Sequence, residues 1–340
     1  MMESRRLQRL LYELFAYYAI FIGASSYRYD FKQRLFKNTK WTQLIASVSN
    51  VLQLGIAIMD LVWAWFYVAN LTAVTGETIQ VDSTVKDVVC LVRILQRVSR
   101  ERATRKLGKE LRCISSLYRY RRARSDMRDK EDMRRLQCIY LVKNCILWLL
   151  VGFILSLWFI ALQFFGLSGK NIYMESVLIV LNFMAMDSQN VTMHLHFLLS
   201  WRICRLYMRL NSHIRRLVRG NSPEDTLELQ HLRWQHLKLT ALMERLTADY
   251  AVIMISNRLS LIVSAAAVGY YISFFRSDQT IYQIVGYGLY VLLAVDGYVL
   301  DLILDWTVKE HQKTLFLLQL QNELDQPDPQ LSRGHRDLVE

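Results

Sequence analysis

Length, composition and charge exclude most soluble classes, since 53% of the 340 residues are hydrophobic and only 3 are proline. The formal net charge is +12, but the basic residues stand in blocks between apolar runs, so no nucleic-acid partner is expected. The composition predicts an all-α fold, a polytopic bundle of membrane helices in contact with lipid.

Residues 7–27 form the first apolar stretch, which is aromatic and follows Arg5, Arg6 and Arg9. Its apolar part, about 18 residues, falls short of the roughly 20 helical residues needed to cross the hydrocarbon. We therefore expect an interfacial or re-entrant helix within a cytoplasmic N-terminal region, 1–40. The alternative is a true crossing, in which case the segment 79–98 stays in the cytoplasm. The stretch lacks a small-residue cleavage site, so a removed signal peptide is not expected.

Six later segments are predicted to cross the membrane within a transmembrane region, 41–306. Five are plainly apolar, whereas one contains Asp82, Lys86, Asp87 and Arg93, which are costly in lipid unless they face protein or water. The predicted crossings are 41–68, 79–98, 137–165, 172–207, 249–274 and 281–306.

The distribution of Lys and Arg predicts the side on which each connection lies. These residues number 5 in 28–40, 15 in 97–135, 9 in 202–245 and 4 in 309–336, but 0, 1 and 1 in 69–83, 166–172 and 275–280. Cytoplasmic loops carry the excess of positive charge. The segment 79–98 must then cross, both chain ends lie in the cytoplasm, and a multi-pass plasma-membrane protein is expected.

Two Asn-x-Thr patterns bear on this topology. Asn70 begins Asn-Leu-Thr in a connection predicted to be extracellular, so it is a candidate glycosylation site. Asn190 begins Asn-Val-Thr deep within a predicted crossing, where we expect no glycan.

Some helices are too long for the membrane alone. No Gly or Pro interrupts 172–219, and its inner part has an apolar stripe at helical spacing. A new helix is predicted to begin at Ser222-Pro223, with capping and acidic residues in its first turn. The stripe comprises Leu199, Ile203, Leu206, Leu210, Ile214 and Leu217; the next helix repeats Leu232, Leu239, Leu246 and Ile253. We therefore predict that 208–248 and the C-terminal region 307–340 contribute helices to a cytoplasmic anchor bundle.

Recognisable catalytic and metal-binding motifs are missing from the sequence. It contains no HExxH, CxxC or GxSxG, so neither an enzyme nor a cofactor is expected. His194 and His196 are two residues apart and face different sides of a helix, which favours packing over metal binding. Asp296, Asp301 and Asp305 are expected to pair with Arg or Lys, in particular Asp305 with Lys309 one turn later.

The segment LLYELFAYYAIFIGASSYRYDFKQRLFKNTKW resembles the N-terminal part of insect gustatory receptors. LYMRLNSHIRRL at 206–217 and LQHLRWQHLKLTALMERLTADY at 229–250 are similar to that family's fourth-helix exit and its return into the fifth. The resemblance covers nearly the whole chain, although its motifs are mostly hydrophobic.

The resemblance implies a gustatory receptor subunit that detects small tastants, a ligand-gated cation channel of inverted topology in sensory neurons. It further implies a homo- or hetero-tetramer with other such subunits. The family's last helix carries a Thr-Tyr, hydrophobic run, Gln-Phe signature, whereas this chain ends at SRGHRDLVE. We therefore expect a chain without the seventh, pore-lining helix; the alternative function is a non-conducting assembly or interaction protein.

A tastant pocket would draw on aromatic and polar residues at the predicted outer ends of the crossings. An interfacial aromatic belt is the alternative explanation for the same residues. The candidates are Trp158, Gln163, Tyr173, Asn182, Tyr270, Tyr271 and Tyr287.

Overall fold

A computed structural model describes residues 2–30, 35–68, 74–120, 127–164, 172–220, 223–274 and 280–324. Seven helices account for nearly all of these residues. They are α1 (Met2–Phe21), α2 (Lys40–Val68), α3 (Val74–Tyr120), α4 (Met127–Phe164), α5 (Ile172–Gly220), α6 (Pro223–Phe274) and α7 (Thr280–Leu324). The predicted all-α class is confirmed.

A small hairpin separates α1 from α2. Strands β1 (Arg28–Asp30) and β2 (Leu35–Lys37) pair antiparallel, with Arg28 opposite Lys37. Each strand has only three residues, so the hairpin is a connection rather than a second layer of the fold.

Local signals determine several helix ends. The break between α5 and α6 falls between Gly220 and Pro223, because Gly favours a helix C-terminus and Pro is tolerated in a first turn. The first helix begins and ends earlier than the predicted 7–27. It ends at Phe21 because Gly23 adopts a φ of 74°, a left-handed conformation that a helix cannot continue through.

Two compact units divide the chain. The first unit comprises Met1–Arg105, Leu141–His196 and Asp249–Tyr298, and the second comprises Lys106–Tyr140, Phe197–Ala248 and Val299–Glu340. Helices α3 to α7 each contribute residues to both units.

The two predicted apolar stripes are buried. In the first stripe Leu210 and Ile214 are 0% exposed, and every member is buried except Leu217, which is half-buried. In the second stripe Leu239 is 0% exposed. Buried leucines of α7 complete the apolar set of the second unit: Leu317, Leu318 and Leu320.

Four helix segments within the described residues are long and apolar enough to cross a membrane: Lys40–Val62, Glu131–Ser156, Glu228–Ala266 and Tyr287–Leu320. Helices α3 and α5 are not among them. Both bury charged or polar side chains, including Arg93 and Asp187, which lowers their hydropathy while the protein itself shields the groups. The number of crossings and their orientation stay predictions.

Candidate functional site: the buried polar cluster of the first unit

Helix α5 carries the polar side chains around which the first unit is organised. It buries a run of them within three turns without a Gly or Pro: Asp187, Ser188, Thr192, His194 and His196. The hydroxyls of Ser188 and Thr192 donate to carbonyls of their own helix, those of Ala185 and Ser188. The Asp187 carboxylate accepts hydrogen bonds from other side chains. We call these residues and their partners in the first unit the polar cluster.

Asp187 joins α5 to α1. The hydroxyl of Tyr18 donates a short hydrogen bond to Oδ2 of Asp187, and the side chain of Asn190 donates to Oδ1 at 3.2 Å. The Tyr18 ring also packs on Trp148 of α4, with 5.4 Å between centroids. A single tyrosine therefore contacts two other helices.

Lys143 of α4 and Asp296 of α7 form a second link. Lys143 Nζ lies 2.6 Å from Asp296 Oδ1 and donates to the Asp296 carbonyl oxygen at 2.9 Å. Lys143 is 0% exposed, so the pair is an enclosed one. The expectation that Asp296 pairs with a basic residue is confirmed, although the sequence did not identify Lys143 as the partner.

The two histidines of α5 are packing residues. The His194 ring lies 4.5 Å from that of Phe15, and the His196 ring stacks on Tyr250 at 4.7 Å and an interplanar angle of 18°. Among the residues the structure describes, no group of three or more His, Cys, Asp or Glu side chains is arranged to hold a metal. The predicted packing role is confirmed.

A further amide pair ties α5 to α6. The side chain of Gln189 donates a short hydrogen bond to the Asn257 side-chain oxygen. Helix α5 is thus joined through polar side chains to both α1 and α6, and α4 is joined in the same way to α7.

The turn that follows α1 is held by α2. Gln53 Nε2 donates to the Ile22 carbonyl at 2.7 Å, and Asn50 Nδ2 donates to the Gly23 carbonyl at 2.8 Å. Both amide side chains are buried. They satisfy backbone carbonyls that the end of α1 leaves without a helical partner.

Helix α3 holds the same turn from another direction. Both carboxylate oxygens of Glu101 accept hydrogen bonds from Ser26, one from its backbone N–H at 2.6 Å and one from its hydroxyl at 2.8 Å. Arg93 Nη2 donates to Gln53 Oε1, so α3 also supports the side chain that binds Ile22. Helix α1 is therefore an integral part of the first unit, and its exposed apolar side chains are Leu10, Leu14, Tyr17 and Phe21.

Most of the predicted pocket residues have side chains outside the part of the chain that the structure describes. The exception is Tyr287 of α7, which is 44% exposed. The side chains of the other six and all of the segment with Asn70 lie outside the described residues: Trp158, Gln163, Tyr173, Asn182, Tyr270 and Tyr271. Tyr18, Lys143 and Asp187 were not among the residues predicted for a site, although Lys143 was detectable as an isolated charge within an apolar run.

A helical bundle whose predicted membrane segments enclose hydrogen-bonded charges has the architecture of a polytopic membrane protein, with polar links between its helices. A family model described as "7tm Chemosensory receptor" matches residues 12–335, and the chain belongs to this family of receptors, which are not enzymes. The resemblance derived from the sequence is confirmed.

Solved structures support the same fold. The insect olfactory receptor OR5 from Machilis hrabei is similar with a TM-score of 0.67 at 10% identity, over 99% of this chain and 89% of that one. The same receptor in complex with eugenol gives a TM-score of 0.70 at 11% identity over the same shares. At these identities the similarity concerns the fold.

A curated relative matches over a shorter stretch. The putative gustatory receptor 59b of Drosophila erecta is 30% identical over 119 residues. This match covers 34% of the present chain and 20% of that relative.

Proposed function

We propose that this chain is a gustatory receptor subunit that binds small organic tastants and contributes to a ligand-gated cation channel. The family and the relative named as a putative gustatory receptor support the taste assignment. The similar olfactory receptor whose structure contains eugenol supports a small-molecule ligand. The proposed setting is the plasma membrane of sensory neurons, with the N-terminus in the cytoplasm and a homo- or hetero-tetrameric assembly.

The observation that carries the proposal is the enclosed Lys143–Asp296 pair together with the Tyr18–Asp187 hydrogen bond. Ionisable groups within membrane segments are costly and are retained chiefly where they serve function. A receptor converts ligand occupancy into a shift between two helix arrangements. Hydrogen-bonded and ionic links between α1, α4, α5 and α7 suit that task, because such a link can be formed in one helix arrangement and broken in the other.

The proposed pocket lies at the outer ends of the crossings. Aromatic walls with a few polar groups suit a small organic ligand. Gln163 and Asn182 supply amides that lipid cannot satisfy. The aromatic candidates are Trp158, Tyr173, Tyr270, Tyr271 and Tyr287, which an interfacial belt would also explain.

The test is whole-cell recording across a tastant panel, with the chain expressed alone and with a gustatory receptor subunit, and with surface labelling to confirm delivery. We expect tastant-evoked cation current in at least one of these conditions. Replacing Gln163 by Leu should shift the tastant concentration for half-maximal current. Gln43→Leu is the matched control, because Gln43 is exposed at the opposite, predicted inner end of α2. A response that Gln43→Leu alters as much as Gln163→Leu contradicts the pocket assignment.

A second candidate function is a non-conducting assembly partner. It is favoured by the polar and apolar core of the second unit, where Asn211 Nδ2 donates to Glu310 Oε2 at 2.7 Å and Thr314 donates to Asn211 Oδ1 at 2.6 Å. Such a core stabilises a helical anchor without any ligand. Co-expression distinguishes the two roles: an assembly partner changes the amount of another subunit at the surface and leaves its tastant selectivity unchanged.

A further inference from the structure

Three arginines stand on one face of α3, and all three are buried. Arg93, Arg97 and Arg100 follow one another at spacings of four and three residues, which places them along a single helix face. Their exposed fractions are 1%, 8% and 3%. We call these three residues the arginine row. Arginine is almost never this buried unless it is paired.

The hydrogen bonds of the arginine row leave donors unused. Arg97 is well satisfied, since Nη1 donates to the Ala46 carbonyl at 2.8 Å and Nε to Glu101 Oε1 at 3.3 Å. Arg93 uses Nη2 on Gln53, but its Nε and Nη1 meet no acceptor among the described residues. Both Nη1 and Nη2 of Arg100 likewise meet none among them. Four buried guanidinium nitrogens are thus without an acceptor in this part of the structure.

The charge of the row is also poorly balanced. Among the described residues, Glu101 is the acid that accepts a hydrogen bond from the row, and Glu101 already accepts two hydrogen bonds from Ser26. The Oδ2 atom of Asp87, which precedes the row in α3, accepts no hydrogen bond from a described residue. Burial removes water from the Arg100 guanidinium and lowers the pKa of this group. Arginine nevertheless stays charged at neutral pH, and a buried charge without a compensating partner destabilises the fold.

The surroundings of Arg100 contain another pair of unused nitrogens. Its guanidinium lies 5.9 Å from the centre of the Tyr250 ring, at the edge of the range for a cation–π contact. Tyr250 also stacks on His196, whose Nδ1 and Nε2 form no hydrogen bond with a described residue. Donors from α3 and α5 therefore both lie beside Tyr250.

We propose that the arginine row binds a phosphate-bearing anion, with Arg100 as the principal ligand. The planar guanidinium fork matches a phosphate group and donates two parallel hydrogen bonds to it. In the predicted topology Arg97 and Arg100 lie at the cytoplasmic end of the 79–98 crossing, at the depth of lipid headgroups. The anionic lipids of this leaflet are one source of the phosphate, and soluble phosphate is the other.

Binding there would stabilise the first unit as a whole. Arg93 supports Gln53, which in turn holds the turn after α1, and Arg97 holds the Ala46 carbonyl of α2. An anion that neutralises the row removes the repulsion among the arginines that hold α1 and α2 against α3. Anion binding to the arginine row is thereby linked to the packing of α1 in the first unit.

The experiment compares Arg100→Met with Arg102→Met in the purified full-length chain. Arg102 is the matched control because it lies on the same helix in the same unit and is exposed. Each protein is placed in nanodiscs of phosphatidylcholine, in nanodiscs that also contain phosphatidylinositol 4,5-bisphosphate, and in phosphatidylcholine nanodiscs with inorganic phosphate in the buffer. Thermal unfolding is followed by tryptophan fluorescence.

We expect the anion to raise the Tm of the unmodified chain and of Arg102→Met by about 2 to 4 °C or more. The Tm of Arg100→Met should not respond, and in phosphatidylcholine alone it should equal or exceed that of the unmodified chain, because an unbalanced buried charge has been removed. A response only to the lipid identifies a headgroup site, and a response to inorganic phosphate identifies a site for the free anion.

Three results overturn the proposal: no shift in either anion arm, a shift that Arg100→Met retains, or a shift that Arg102→Met loses equally. If Arg100→Met does not fold, Arg100→Lys takes its place, since lysine keeps the charge but loses the guanidinium fork. Arg100→Lys should show less than about half of the normal shift. An undiminished shift in Arg100→Lys then contradicts the proposal.

Discussion

Lys143 Nζ lies 2.6 Å from Asp296 Oδ1, and this enclosed ion pair joins α4 to α7 in the first unit. An exposed pair of the same residue types joins Lys309 to Asp305 at 2.7 Å within α7. The side chains of the second pair are 68% and 57% exposed, against 0% and 12% for the first. The two pairs have the same chemistry, but one is buried and the other is exposed. The exposed pair is therefore a control for the contribution of the buried pair to stability.

Replacing Lys143 by Met should strongly destabilise the chain. The Asp296 carboxylate would stay buried without its partner, which costs about 3 to 5 kcal/mol when one member of an enclosed pair is removed. We expect lower surface expression and a lower unfolding temperature in detergent. Lys309→Met should change the stability little, because exposed pairs contribute about 0 to 1 kcal/mol. Equal losses in the two variants would contradict a special role for the enclosed pair.

Replacing Tyr18 by Phe should weaken the link between α1 and α5. The ring stays on Trp148, but Asp187 loses the hydroxyl that donates to it, at a cost of about 1.5 to 3 kcal/mol for a hydrogen bond to a charged group. Thermal unfolding measures the change. The control is Tyr17→Phe, one residue earlier and 49% exposed, for which little loss is expected. Indistinguishable unfolding temperatures for the two variants would mean that the Tyr18 hydroxyl contributes nothing to stability.

Replacing Gly23 by Ala should disturb the turn that ends α1. The φ of 74° disfavours any residue with a Cβ, and a Cβ at this position would lie 2.6 Å from Asn50 Nδ2 and 2.9 Å from Ser49 Oγ. We expect a loss of more than about 1 kcal/mol in stability. Gly55→Ala is the control, because its added Cβ would meet nothing within 4 Å beyond the adjoining backbone of its own helix, and helical Ala is favoured over Gly by roughly 0.5 to 1 kcal/mol. Unfolding temperatures that fall for Gly55→Ala and not for Gly23→Ala would refute this account of the turn.

Replacing Leu239 by Ala should destabilise the second unit by about 2 to 5 kcal/mol, since Leu239 is 0% exposed. Loss of packing should reduce surface expression or subunit association, measured by surface labelling and by native gel or size-exclusion analysis. Leu237, two residues away and 66% exposed, provides the control variant Leu237→Ala. An unchanged yield and oligomer size for Leu239→Ala would indicate that these helices are linkers.

Asn70 should carry a glycan when the chain is expressed in a glycosylating cell, because the predicted topology places it outside. The shift in gel mobility on glycosidase treatment should disappear in Asn70→Gln and in Thr72→Ala. Asn190→Gln should change nothing in this assay, since the Asn190 side chain donates to Asp187. An unglycosylated Asn70, with protease access to residues 28–40 from outside, would favour the version with a seventh crossing at 7–27.

The local features of this chain follow from its sequence. The break at Gly220 and Pro223, the apolar periodicity that includes Leu210 and Leu239, and the Asp305–Lys309 pair all depend on residues within one or two helical turns of each other. Backbone geometry fixes the distances at such separations, so periodicity, capping residues and spacing are sufficient to predict them. The family resemblance has the same origin, since it rests on the order and pattern of these helices.

The contacts that define the polar cluster depend on the tertiary structure. Tyr18 and Asp187 are 169 residues apart, and Lys143 and the Asp296 carbonyl are 153 apart. Hydropathy shows that a charge within an apolar run needs a partner, but it does not select one among the acids and bases on six other helices. Helix packing decides which faces meet, because it must bury apolar surface and satisfy the enclosed polar groups together. The same packing brings Arg100 beside Tyr250, which nothing in the spacing of α3 or α6 predicts.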